Sequence, residues 1–170
     1  MVRAPVATPT MGAAKLSLLG LLAVATLVVG AWAAIVPYAG PQFGFGWGDG
    51  GAWRWTFDRA MMNLIPGAVA LVAGLLMLIG LPGGGRRRGL AGLAGFLTIA
   101  SGAWLVLGSG IWTAFVGHTG LDVPPGVGAY WAFILRLGYH LGPGLLLVSF
   151  GALTWGLLPH STLRRRVAAG

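Results

Sequence analysis

The chain has 170 residues, of which 56% are hydrophobic and 8% are charged, and its mean hydropathy is +0.83. This composition excludes a water-soluble domain, because the surface of such a domain would be one large apolar patch. The net charge of +8 lies mostly in short clusters beside apolar runs, so we expect no nucleic-acid partner, which would need a basic groove on a soluble domain. The absence of cysteine removes disulfide and thiolate chemistry.

Four apolar stretches reach the roughly 20 residues that a spanning helix needs. In chain order they are 16–38, 61–81, 90–115 and 131–158. The first stretch also has the charged start and apolar run of a secretory signal, with Ala31-Trp32-Ala33 as a cleavage site. Its length, and the recurrence of Gly30-Ala31-Trp32 within the third stretch, favour a retained helix. The sequence therefore predicts an all-α membrane protein with four transmembrane helices.

The distribution of lysine and arginine predicts the orientation, because short cytoplasmic loops keep positive charge. Lys15 precedes the first span, and one arginine triplet follows each of the second and fourth spans. Both termini are therefore predicted to be cytoplasmic. The triplets are expected to contact anionic inner-leaflet lipid; they are Arg86, Arg87, Arg88, Arg164, Arg165 and Arg166. The excess of arginine over lysine, with abundant glycine and alanine, indicates a bacterium, so we expect a multi-pass protein of the plasma (inner) membrane.

The chain contains an internal repeat, and eight positions of the first copy fall on the second after one shift of 77 residues. The matched positions are Arg59/Arg136, Asn63/His140, Pro66/Pro143, Gly67/Gly144, Gly74/Gly151, Pro82/Pro159, Arg87/Arg164 and Arg88/Arg165. Upstream, Gly30-Ala31-Trp32 recurs as Gly102-Ala103-Trp104 after 72 residues. We predict one membrane domain, 1–170, made of two tandem helical hairpins, about 16–88 and about 89–166. Because each hairpin crosses the membrane twice, a pseudo-two-fold axis along the membrane normal should relate them.

Small residues recur along the helices and predict close helix packing, since lipid supplies no hydrophobic drive between helices. The candidate packing glycines are Gly67, Gly74, Gly95, Gly102, Gly144 and Gly151. They would lie either inside one four-helix bundle or on an oligomer seam.

Arg59 and Arg136 are predicted at equal depth, near the N-terminal ends of the second and fourth helices. The helix dipole disfavours a cation there by up to about 1 kcal/mol, so an anion should lie nearby. A guanidinium suits Asp58, Asp122, a lipid phosphate or a carboxylate of a partner.

One turn further in, each copy places a polar residue within its span, Asn63 in the first copy and His140 in the second. With Arg59 and Arg136 they form our hypothesis for an anionic-lipid or quinone-type ligand site. A single intramembrane histidine does not indicate a haem or a metal, so no cofactor and no metal site is predicted.

The loop between the first two spans is rich in tryptophan, phenylalanine and glycine. It either lies flat among the lipid headgroups or forms a docking surface, because such side chains anchor interfaces. The docking candidates are Phe43, Phe45, Trp47, Trp53 and Trp55. Trp32 and Trp104, at matched positions, are interpreted as packing residues.

Each copy contains Gly-Ala-Trp, a small/Pro/aromatic break, a loop, and a polar residue before a Gly-rich helix, as in Asn63-Leu64-Ile65-Pro66-Gly67. This pattern resembles the SPW-repeat membrane proteins, two-helix units often found in tandem in bacteria, and the resemblance implies the same fold here.

No catalytic motif is present and no carboxylate is placed within a span, so an enzyme is not predicted. We expect a small membrane protein that acts by association, as an accessory or assembly subunit of a larger membrane complex or as a self-assembling bundle. The alternative is a binder or carrier of an anionic lipid or quinone-like ligand in the outer half of the bundle.

Overall fold

Four long helices make up most of the structure, a computed structural model that describes residues 12–46, 51–80, 85–117 and 126–158, with only the backbone of 85–88. The helices are α1 (Ala13–Ala39), α2 (Phe57–Gly80), α3 (Gly85–Val116) and α4 (Ala129–Leu157). Of the described residues, 88% are helical and none lies in a strand. Each helix is long and apolar enough to cross a membrane, which confirms the four predicted spans and indicates a multi-pass membrane protein.

All four helices begin earlier than their hydropathy predicts, and the difference is largest for α2 and α3. α2 begins at Phe57 rather than at residue 61, because the Thr56 hydroxyl caps it by accepting from the Arg59 N–H at 3.2 Å. α3 begins at Gly85 rather than at residue 90, so its helical backbone runs through the first arginine triplet. Arginine has a high helix propensity, which a hydropathy window does not measure.

The helices pack in a ring in which α1 contacts α2, α2 contacts α3, α3 contacts α4, and α4 contacts α1. One buried residue of each helix belongs to an apolar cluster that the four helices share. These residues are Ala33, Ala70, Leu105 and Leu147. The two from α1 and α3 are matched by the 72-residue shift and the two from α2 and α4 by the 77-residue shift, so the repeat units meet at the core.

All six candidate packing glycines are buried and face the other helix of their own hairpin. A Cβ on Gly67 would lie 2.8 Å from the Gly30 carbonyl oxygen, and a Cβ on the matched Gly144 would lie 2.8 Å from the Gly102 carbonyl oxygen. Such distances leave no room for a methyl group. The seams of small residues therefore hold each hairpin together from within.

Both repeats also contain one turn of π-helix, at Ala60–Leu64 in α2 and at Leu137–Leu141 in α4. The 77-residue shift places one turn on the other. In each turn the backbone N–H donates five residues back, from Ile65 to the Ala60 oxygen and from Gly142 to the Leu137 oxygen. π-Turns are rare in proteins, but those that occur often lie at functional sites. The two turns therefore make their end of the bundle the first candidate for a functional site.

Candidate functional site at the aromatic end of the bundle

Exposed aromatic side chains crowd one end of the bundle, where α1 and α3 end and α2 and α4 begin; we call it the aromatic end. They are Phe43, Trp53, Trp55, Phe57, Phe115, Tyr130 and Trp131. Three of them, Phe43, Trp53 and Trp55, belong to the segment that joins α1 to α2, and Phe57 is the first residue of α2. Trp47 lies outside the described residues, as do the acids Asp49 and Asp122 and the arginines 164–166.

The π-turns leave one carbonyl in each repeat without a backbone donor. In α2, the N–H of Ile65 donates to Ala60, and residue 66 is proline, which has no N–H. The Met61 oxygen therefore lacks its usual donors. The Trp104 indole N–H of α3 donates to it at 2.9 Å.

The second repeat makes the reciprocal bond. There Pro143 follows the π-turn, and the Gly138 oxygen accepts from the Trp32 indole N–H of α1 at 2.9 Å. Both donors and both acceptors are matched by the repeat register. Trp32 and Trp104 were interpreted from the sequence as packing residues, but each also satisfies a carbonyl of the opposite hairpin.

A double-mutant cycle tests this arrangement. We expect Trp104→Phe to lower the free energy of unfolding by about 1 kcal/mol, since the part-buried Met61 carbonyl loses its donor. In a Pro66→Ala background the same change should cost less, because residue 66 then has an N–H that can reach Met61. Denaturant titration in mixed micelles measures both, and strictly additive losses would contradict the assignment.

A buried polar cluster lies between the two π-turns. Asn63, which is fully buried, donates from Nδ2 to the Tyr139 carbonyl oxygen at 3.3 Å, and its Oδ1 has no hydrogen-bond partner among the described residues. His140 is buried beside Tyr139, with ring centroids 6.1 Å apart. Asn63 and His140 thus lie in the interior of the protein and not on a lipid-facing surface.

Tyr139 attaches the α1–α2 loop to α4. Its hydroxyl donates to the Phe45 carbonyl oxygen at 2.7 Å and lies 3.3 Å from that of Val36. The Phe45 ring stacks on the Tyr139 ring at 5.4 Å and meets Trp131 edge-on at 6.2 Å. Phe45, a docking candidate in the sequence, is therefore half-buried in an intramolecular aromatic cluster.

Arg59 is only 2% exposed, although it carries a charge. Its guanidinium Nη1 donates to the carbonyl oxygens of Gly51 at 3.2 Å and Arg54 at 3.1 Å. Carbonyl groups can offset the desolvation of a charge because hydrogen bonds to charged groups are stronger than neutral ones. Arg59 holds the second half of the loop against the start of α2.

The matched arginine is placed differently. Arg136 is exposed, because α4 already begins at Ala129, whereas α2 begins only two residues before Arg59. The acid next to Arg59 has its own partner, since the Asp58 carboxylate accepts from the Trp112 indole N–H at 2.9 Å. The structure therefore does not bring the four polar candidates to one surface: three are buried and Arg136 is exposed.

Two tryptophans in the second half of the loop are exposed. Trp53 is 63% exposed and Trp55 is 64% exposed. Trp53 has a φ of 60°, a left-handed conformation that is strained for a bulky residue, and its N–H donates to the Tyr38 carbonyl oxygen at 2.9 Å. Trp55 stacks on the Tyr38 ring at 6.4 Å.

Sequence reasoning missed Tyr139 and the bonding role of the two tryptophans. The signal available in the sequence was that each copy contains both Gly-Ala-Trp and a proline. The repeat alone does not show that the tryptophan of one copy bonds a carbonyl near the proline of the other. No protein-family model, curated protein or solved structure matches this chain.

Proposed function

We propose that the protein acts by association in the membrane, as an accessory or assembly subunit that docks a partner through its α1–α2 loop. One observation carries this proposal: the loop is held at several points while two of its tryptophans are exposed. Arg59 and Tyr139 bond its backbone. The exposed side chains of Trp53 and Trp55 would contact the partner.

Energetics favour such a loop as a docking element. Tryptophan is enriched among the residues that dominate binding energy. The described parts of the loop are already held by hydrogen bonds, so they lose little entropy when a partner binds. The strained backbone of Trp53 further supports a role for this residue, because the positive φ coincides with an exposed side chain.

The test is affinity purification of the full-length protein from its own membrane in mild detergent, followed by native mass spectrometry. We expect reproducible additional subunits or a homo-oligomer, and a loss of at least about tenfold in their yield with Trp53→Ser/Trp55→Ser, as expected for hot-spot residues. The matched control is Phe115→Ser, at the same end but outside the loop. A bare monomer, or equal losses for both variants, would overturn the proposal.

We also propose the topology on which docking depends. Cytoplasmic termini in a bacterial inner membrane would place the aromatic end outside and the arginine triplets on anionic inner-leaflet lipid, in agreement with the positive-inside rule. The reciprocal Trp32 and Trp104 bonds support a pseudo-two-fold axis along the membrane normal. Membership of the SPW-repeat family stays a prediction from the sequence.

A further inference from the structure

A groove opens toward the lipid between α2 and α3, beside the first π-turn. Its volume is about 250 Å³, and it is lined by Ala100 together with Met61, Ile65, Pro66, Val69, Ser101 and Trp104. Ile65 and Ala100 are exposed at its rim, while Pro66 and Ser101 are buried at its base. No charged side chain lines it, so only a neutral molecule suits it.

Ser101 gives the groove a polar atom. The residue is only 3% exposed, and its hydroxyl has no hydrogen-bond partner among the described residues. The three buried threonines of the described residues, in contrast, each donate to the carbonyl four residues back, at 2.8 Å; these are Thr26, Thr98 and Thr154. A buried hydroxyl without a partner is costly in an apolar environment, so a ligand atom that accepts its hydrogen would be stabilised.

The depth of Ser101 limits what that ligand can be. The residue lies midway along α3, about 15 residues from either end, or roughly 22 Å along the helix. The ester carbonyls of phospholipids lie near the edge of a hydrocarbon core about 30 Å thick. They would not reach the middle of the helix, whereas a carbonyl compound dissolved in the bilayer interior can.

We propose that this groove binds a neutral, membrane-soluble carbonyl compound of the quinone type, with Ser101 donating to a ring carbonyl. The Trp104 indole forms one wall, and its bond to the Met61 oxygen fixes the orientation of that wall. The ring would lie among Pro66, Val69 and Trp104, and its apolar tail would extend into lipid past Ile65. The site is independent of the proposed docking loop.

The second repeat supplies a natural comparison. A matched groove of about 320 Å³ lies between α1 and α4, with Trp32, Gly138 and Pro143 in the places of Trp104, Met61 and Pro66. The position of Ser101 is taken there by Val29. The two grooves therefore share their architecture but differ in the one donor that the proposal requires.

The experiment uses the full-length protein in phospholipid nanodiscs and an azido-benzoquinone with a decyl tail as photoprobe. Adducts are mapped by mass spectrometry, with excess unlabelled decyl-benzoquinone as competitor. We expect competable labelling of peptides 61–69 and 100–104. Ser101→Ala and Ser101→Val, the latter copying the second groove, should lower this labelling by roughly three- to thirtyfold, the range for one hydrogen bond within a membrane.

Val29→Ser is the reciprocal variant, which introduces the missing hydroxyl into the second groove. It should create competable labelling of peptides 28–32 and 137–146. Circular dichroism and thermal melting establish that each variant is folded before it is labelled. Labelling that is insensitive to both Ser101 variants would overturn the proposal, as would labelling that the competitor does not reduce. A diacyl phospholipid photoprobe that labels the same peptides in a Ser101-dependent way would also overturn it, by identifying the occupant as ordinary lipid.

Discussion

Gly102→Ala is expected to separate α3 from α4 and to lower the free energy of unfolding by about 1–3 kcal/mol, the usual cost of overpacking. A Cβ at this position would lie 2.5 Å from the Gly144 carbonyl oxygen and 2.7 Å from the Val148 nitrogen. Both atoms belong to the backbone of α4, so no change of side-chain rotamer can accommodate the methyl group. Denaturant titration in mixed micelles, followed by tryptophan fluorescence, measures the loss.

Gly110→Ala is the matched control for that measurement. Gly110 lies two turns further along α3, and a Cβ there meets nothing within 4 Å. The control variant should keep the wild-type free energy of unfolding or exceed it slightly, because alanine has the higher helix propensity. Equal losses for the two variants would show that the α3–α4 seam does not require close backbone contact.

Arg59→Met is expected to release the α1–α2 loop and to lower the free energy of unfolding by about 1–3 kcal/mol, because two carbonyls lose a charged donor. Methionine keeps an apolar side chain of similar length in the buried site. Hydrogen exchange should rise most at residues 51–56, which the guanidinium holds in place. Exchange followed by mass spectrometry locates the effect on the chain.

The repeat provides the control for this variant as well. Arg136→Met changes the matched arginine, which is exposed, and a surface substitution of this kind usually alters stability by less than about 0.5 kcal/mol. If both variants lost the same stability, or if residues 51–56 stayed protected in Arg59→Met, the anchoring role of Arg59 would be wrong.

The four spans could be predicted because hydropathy averages over about 20 residues, so a few misplaced polar residues do not change the result. The position of the glycines on the hairpin seams likewise follows from the spacing of small residues along a helix face. The predicted positions of the helix ends were less accurate. Thr56 and Asp58 begin α2 through capping and dipole effects, which hydropathy does not contain.

The candidate site was harder to predict, because its residues are joined across long stretches of chain. Trp32 bonds Gly138, and Tyr139 bonds Phe45; neither pair is visible to local patterns. The repeat also suggested that Arg59 and Arg136 would share one environment. They do not, since the helix starts at a different distance before each arginine. Arg59 is buried and bonds two carbonyls of the described part of its preceding loop, whereas Arg136 is exposed.

The reciprocal tryptophan bonds have a consequence for the assembly of the two hairpins. Donor and acceptor always come from different hairpins, so a hairpin inserted alone keeps one indole and one carbonyl unpaired within the lipid. Two copies of a single hairpin could form the same pair of bonds with each other. The two hairpins of this chain thus hold each other by the kind of bond that could join two separate copies, while Ser101 and Val29 distinguish their grooves.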